Sequence, residues 1–215
     1  MKIFVKSRGY NRQEDYQWHH IAAEHEEVID TLVPAPYEQY GLGRMIWAED
    51  ESYVLGRFGD ALVLLITSVP SAERADFVGR PVRDSLLWVG SAADEPLLRG
   101  HASCALRDAH WLPALLDRVI HFDEKQRFVV QRDAFVAGLK QDGAGDAAPD
   151  LARRTLRLSE ASRRKLGDEL KATKLPPQQG LLVVVTTIQS LQKMTDAGIW
   201  RGLARGTRSE YDWDT

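Results

Sequence analysis

Six histidines and one cysteine are the residues in this chain best suited to nucleophilic or metal chemistry. His19, His20 and His25 stand beside Glu24 and Glu26, and imidazole with carboxylate is a familiar zinc ligand set. Their spacing argues against it. Adjacent histidines diverge, and a five-residue step on a helix turns His25 about 140° away from His20. No HExxH and no paired cysteine–histidine spacing occurs, so neither a metal nor any other cofactor is expected. Cys104 follows His101 by three residues, a spacing at which an imidazole could draw the proton from a thiol on a helix. Its neighbours Ala102, Ala105 and Leu106 favour a buried, inert cysteine instead. Gly41-Leu42-Gly43 lacks the third glycine of a dinucleotide loop, and there is no GxxxxGK[ST] or GxSxG. The neighbouring acids Glu14–Asp15 and Asp123–Glu124 read as solvated faces.

Binding chemistry is better represented than catalysis. Between Ser7 and Trp18 the chain places Arg8, Tyr10, Arg12, Tyr16 and Trp18 just past a strand-like run. Arginine, tyrosine and tryptophan dominate the energetic centres of protein interfaces, and loops at strand ends often carry function. The alternative is that Tyr16 and Trp18 cap the edge of the core while Arg12 pairs with Asp15.

Charge is segregated. Residues 13–51 hold ten acids against Arg44 alone, whereas 151–174 hold eight bases against three acids. Within the basic stretch Arg153, Arg157 and Arg164 are expected to project from a helix running from Leu151 to Lys174 and to meet an acidic protein surface. Phosphates are a second possible target for such a helix. The net charge of −3 argues against a protein that coats nucleic acid through overall charge.

These residues need elements to position them. Ile3 and Val5 alternate with Phe4 and Lys6 in a strand over Lys2–Ser7, ended by Gly9. Asn11–Glu27 reads as a loop or short helix, and Val28–Val33 and Arg44–Ala48 as short strands. The β-rich runs Ser52–Leu55 and Ala61–Thr67, around a short link with two glycines, predict a hairpin. After Pro70 a short polar stretch leads to another strand over Val82–Val89. Apolar residues at helical spacing from Asp94 to Phe122 predict two helices broken near Pro113. Phe128–Gln131 reads as a strand before a helix running to Leu139, and Gln141–Pro149 as a surface linker. Leu181–Val185 is a wholly apolar strand that should return to the interior of the sheet, burying Leu182 and Val184 with Val63 and Leu65. A helix carrying Ile188, Leu191, Thr195, Ile199 and Leu203 on one face closes the chain.

The expectation is one α+β domain over residues 1–215: a mixed, largely antiparallel sheet from the N-terminal half, one late central strand, and packing helices from the C-terminal half. The start Met1–Lys6 shows no leader, no apolar run approaches bilayer length, and a single cysteine excludes an internal disulfide; these point to a cytoplasmic protein with no membrane contact. Twenty arginines against eight lysines fit a GC-rich bacterial genome. The expected function is non-catalytic: an accessory or adaptor module docking on a protein partner. The alternatives are a hydrolase-type enzyme assembled from distant histidine and Asp/Glu residues, and nucleic-acid binding through 151–174.

Overall fold

The structure, a computed structural model, describes residues 1–21, 40–42, 45–46, 50–140 and 143–205. The strands expected at Val28–Val33 and Arg44–Ala48, the ligand set of His25, Glu24 and Glu26, and most of the acidic stretch lie wholly or largely outside these residues.

Five strands from the first 90 residues form an antiparallel set: β1 (Lys2–Ser7), β2 (Gln17–Ile21), β3 (Ser52–Phe58), β4 (Ala61–Ala75) and β5 (Pro81–Gly90). The chain then runs through α1 (Glu95–Arg107), α2 (Trp111–Val119), the small hairpin β6 (Ile120–Phe122) and β7 (Phe128–Val130), and α3 (Arg132–Gly138). It closes with β8 (Arg154–Arg157), α4 (Glu160–Ala172), β9 (Gly180–Thr186), α5 (Leu191–Asp196) and β10 (Arg201–Ala204). Among the described residues the large sheet has eight strands, in the order β2-β1-β5-β4-β3-β9-β10-β8. The fold is α+β, with a mixed sheet.

β9 enters the interior antiparallel to β3, as its apolar sequence on both faces requires, but it is not the only late strand. β10 lies parallel between β9 and β8, so the last third of the chain is a βαβαβ unit. The step from β8 to β9 moves into the sheet and the step from β9 to β10 moves back out. Two crossovers of the same hand then have to lie on opposite faces. Leu166 and Leu170 of α4 duly join the first core, with Trp88, Leu98 and Leu116, while Met194 of α5 joins the second, with Phe4, Val63, Leu65 and Val184. Leu182 leaves the second group for the first because the β3–β9 register shifts beside it.

Two expected helices are corrected. Arg154–Arg157 pair with β10, and Ser159, extended at φ −150°, starts α4 by accepting the Ser162 amide at 3.1 Å. Pairing outweighs the helical spacing of the leucines. The closing helix stops at Asp196 because Gly198, at φ +70°, turns the chain into β10. Residues 143–149 do not hang free: Arg99, fully buried, donates to the carbonyls of Leu170, Thr173 and Gly145 and ties this stretch to the end of α4. No helix among the described residues is long and apolar enough to cross a membrane.

Candidate functional site

The candidate site is built by the part of β4 that lies beyond Pro70. β3 stops pairing with β4 at Thr67, and among the described residues no other strand takes its place, so a proline further along β4 costs no ladder bond on that side. The β4–β5 hairpin therefore projects past the sheet to a turn, Asp76-Phe77-Val78-Gly79-Arg80, in which Gly79 supplies φ +80°. Asp76 holds this turn: its carboxylate accepts the amides of Val78 and Arg80, both at 3.0 Å, and the Arg80 guanidinium at 2.8 and 3.0 Å. Desolvation opposes its charge, but these bonds hold the Asp76 carboxyl below the usual carboxylate range.

Arg8, just after β1, donates to the same carboxylate at 3.2 Å and stands over the rings of Tyr16 and Phe77, 5.5 and 5.8 Å from their centroids. Lys6 also reaches the Tyr16 ring, 5.7 Å from its centroid. Strand alternation and the Lys6–Ser85 register place Lys6, Arg83 and Ser85 on the second face of the sheet, beyond Phe4 and Leu87. The result is a cleft of about 350 Å³ lined by Lys6, Arg8, Tyr16, Arg80, Arg83 and Ser85, with Asp76 and Pro81 completing the wall. Burial lowers the Lys6 ammonium below its ordinary value, and Asp15 opposes that shift. Beneath the cleft, Arg74 on β4 joins Ser7, Asp84 and Asp117 in a buried polar network.

Beside the cleft lies apolar surface. Tyr10, Phe77 and Val78 are 45%, 42% and 57% exposed, and the Phe77 amide donates to the Tyr10 carbonyl at 3.1 Å. The Tyr10 ring meets Phe122 edge-on at 6.1 Å.

The expected N-terminal cluster is thus partly assembled. Arg8 and Tyr16 line the cleft, Tyr10 flanks it, and Arg12 is exposed on the same loop. Trp18 is a correction: on β2 it points to the second face and is buried with Phe4 and Leu42, so it belongs to the core. Arg153, Arg157 and Arg164 are not brought to this place, nor do they share a helix. Arg153 precedes β8, Arg157 ends it, and Arg164 pairs with Glu160 on α4 at 2.7 Å. Six strand spacings separate β1 from β8, about 29 Å across the sheet. Lys6, Asp76, Arg80 and Arg83 were not singled out from the sequence. The available signal was the Asp76–Gly79 spacing between two β-rich runs, which marks a hairpin turn.

Two other clefts hold reactive residue types. His19 lies with Glu14 and Asp123 in one of about 260 Å³, its ring 4.1 Å from that of Phe128. Asp123 there accepts the amides of Lys125 and Arg127 and the Arg127 side chain, and the Arg127 amide leads in holding its carboxyl below the usual range. Cys104, buried, lies at the base of another between α1 and α4, where Arg107 pairs with Asp168 at 3.0 Å and Lys140 with Asp108 at 2.7 Å. His101 is buried and is held by the backbone and by two aromatic rings. Its Nδ1 donates to the Lys140 carbonyl at 3.1 Å, and its ring sits between Trp88 and Trp111. Among the described residues, no group of three or more His, Cys, Asp or Glu is placed to hold a metal ion.

Compared with family models, curated proteins and solved structures, the chain has no match.

Proposed function

We propose that the chain is a non-catalytic interaction module that docks on a protein partner through the loop end of its sheet. One observation carries this reading: exposed Tyr10, Phe77 and Val78 adjoin a cleft containing four cationic side chains. Apolar anchors beside arginines are the composition of interface energetic centres, and the excess positive charge selects an acidic segment on the partner. The setting we infer is the bacterial cytoplasm, supported by the buried lone cysteine and the arginine-rich composition.

The test is quantitative co-purification from the cells that make the protein. A Tyr10→Ser/Phe77→Ser variant and an Arg83→Glu variant should each lose a partner that the wild type and an Arg164→Glu control retain. A partner retained equally by all four proteins would overturn the reading.

The hydrolase alternative has one observation in its favour, the cleft that joins His19 to Glu14 and Asp123. Because Asp123 is already engaged by its own turn, we read this cleft as a loop support. Loss of a hydrolytic activity in a His19→Ala variant would reverse that reading. The nucleic-acid alternative rested on a continuous helix over 151–174, which the fold replaces by β8 and α4.

A further inference from the structure

We infer that the cleft between Lys6, Arg8 and Arg83 is a phosphomonoester subsite, so that the partner segment docking there carries a phosphorylated side chain. This rests on the docking reading above and names the chemistry of its recognition.

The first ground is unbalanced charge. Four cations line the cleft against the single carboxylate of Asp76, whose oxygens are already engaged by Arg8, Arg80 and two backbone amides. Asp15 acts on Lys6 through space but lies outside the lining of the cleft.

The second ground is an excess of donors. Nε of Arg8 is buried and has no hydrogen-bond partner among the described residues, on a side chain only 9% exposed. A buried unsatisfied N–H is uncommon in a folded protein, and here it belongs to a side chain that lines the cleft. The Tyr16 hydroxyl oxygen accepts the Arg83 amide at 3.0 Å, which leaves its own proton to donate. Ser85 adds a second hydroxyl to the wall. Asp76 is the lone carboxylate acceptor among these side chains, so a ligand bringing acceptors is the complement.

The third ground distinguishes phosphate from carboxylate. A carboxylate brings one charge and two oxygens, fewer than this set of donors can use. A phosphorylated side chain brings a charge of about −1.5 to −2 and three acceptor oxygens at neutral pH. Arginine offers them a planar fork, and lysine a point charge.

The test titrates the full-length chain, labelled for NMR, with five probes: N-acetyl-phosphoserine amide, N-acetyl-glutamate amide, inorganic phosphate, phenyl phosphate and a short DNA duplex. Saturable shifts at Lys6, Arg83 and Ser85 are expected with the two phosphomonoesters, at least about tenfold tighter than with the glutamate probe. Affinity should fall as pH drops from about 7.5 to 5, through the second phosphate pKa near 6. Lys6→Gln and Arg83→Gln should each weaken binding about fivefold or more while leaving the melting temperature in place, since Arg83 is exposed and neither side chain is fully enclosed. Equal affinity for glutamate would make this a carboxylate site. Tightest binding of inorganic phosphate would make it a free-phosphate site, and tightest binding of DNA a nucleic-acid site. Each of these outcomes, or the absence of saturable binding, overturns the inference. The two readings fail separately: if the Tyr10→Ser/Phe77→Ser variant loses its partner but phosphoserine does not bind, only the phosphate inference falls.

Discussion

Arg74 on β4 and Asp84 on β5 form a salt bridge in which the two side chains are only 7% and 1% exposed. Burial pushes the Asp84 carboxyl up, and Arg74 opposes that push. Ser7 on β1 accepts from Arg74 at 3.1 Å and Asp117 on α2 stands 3.6 Å away, so one guanidinium joins three elements under the cleft. Removing one partner strands a buried charge. Arg74→Met should therefore cost about 3–5 kcal/mol, whereas Arg74→Met with Asp84→Leu should recover a good part of that loss. Chemical denaturation of the two variants checks it. A single variant costing under about 1 kcal/mol would show that the pair does not hold the hairpin.

Gly9 sits where two loops meet. A Cβ built there would lie 2.4 Å from the Gln126 carbonyl oxygen and 2.5 Å from the Glu14 Cβ, and the Gly9 amide donates to the Glu14 carbonyl at 3.0 Å. Backbone cannot move aside as a flexible side chain can. Gly9→Ala should destabilise the protein by about 1–3 kcal/mol. It should also weaken partner binding, because Tyr10, the next residue, is anchored to the same Gln126 carbonyl at 2.9 Å. Thermal melting reads the first effect and co-purification the second. An unchanged melting temperature would remove this contact from the account of the site.

Legibility followed the reach of the interactions. The β3–β4 hairpin, β9 and the α1–α2 pair could be read because local sequence specifies each one: Gly59 between β-rich runs, five consecutive apolar residues, and Pro113 in the first turn of α2. β2 was missed because Gln17–Ile21 is buried on both faces by histidine and tryptophan, residues whose alternation resembles no simple apolar pattern. β8 and β10 are four residues each and exist through parallel pairing across long separations. The cleft suffered the same way. Lys6 and Arg83 lie 77 positions apart in sequence, and only the β1–β5 register brings them to one place. Tyr16 and Arg8 were visible because they sit eight residues apart on one loop.

Folding should depend on pH through His101. Desolvation lowers its pKa from the ordinary 6.5, against the raising effect of the Lys140 carbonyl. The folded chain therefore resists a proton that the unfolded chain accepts. Stability from this group is fully present above about pH 6.5 and is lost as pH falls toward the lowered value, with a slope of at most about 1.4 kcal/mol per pH unit. His101→Phe keeps a ring between Trp88 and Trp111 but removes the bond to Lys140, at a cost of about 1 kcal/mol at pH 7. Its stability should decline less than that of the wild type between pH 7 and pH 5. His20, also lowered by desolvation and by Lys2, contributes equally to both proteins. Parallel profiles for the two would show that His101 is not the titrating group.

The basic residues of the last third separate docking at the loop end from docking by overall charge. Arg153 and Arg157 flank β8, about 29 Å across the sheet from β1, Arg164 lies on α4, and all three are exposed. Reversing them to glutamate changes the net charge by six units and should leave the melting temperature nearly intact, since exposed ion pairs such as Arg164–Glu160 contribute little. If the partner reads the Arg8 cleft, its dissociation rate should change less than about twofold in this triple variant. Association should slow slightly at low salt, through lost long-range attraction, and that difference should vanish near 0.5 M salt, where the Debye length is only about 4 Å. Arg80→Glu with Arg83→Glu reverses two charges at the cleft and should raise the dissociation rate at least about tenfold, at low and high salt alike. Surface plasmon resonance on the purified pair measures both constants. A triple variant that dissociates as fast as the Arg80/Arg83 variant would place the interface on the β8 edge and remove it from the hairpin turn.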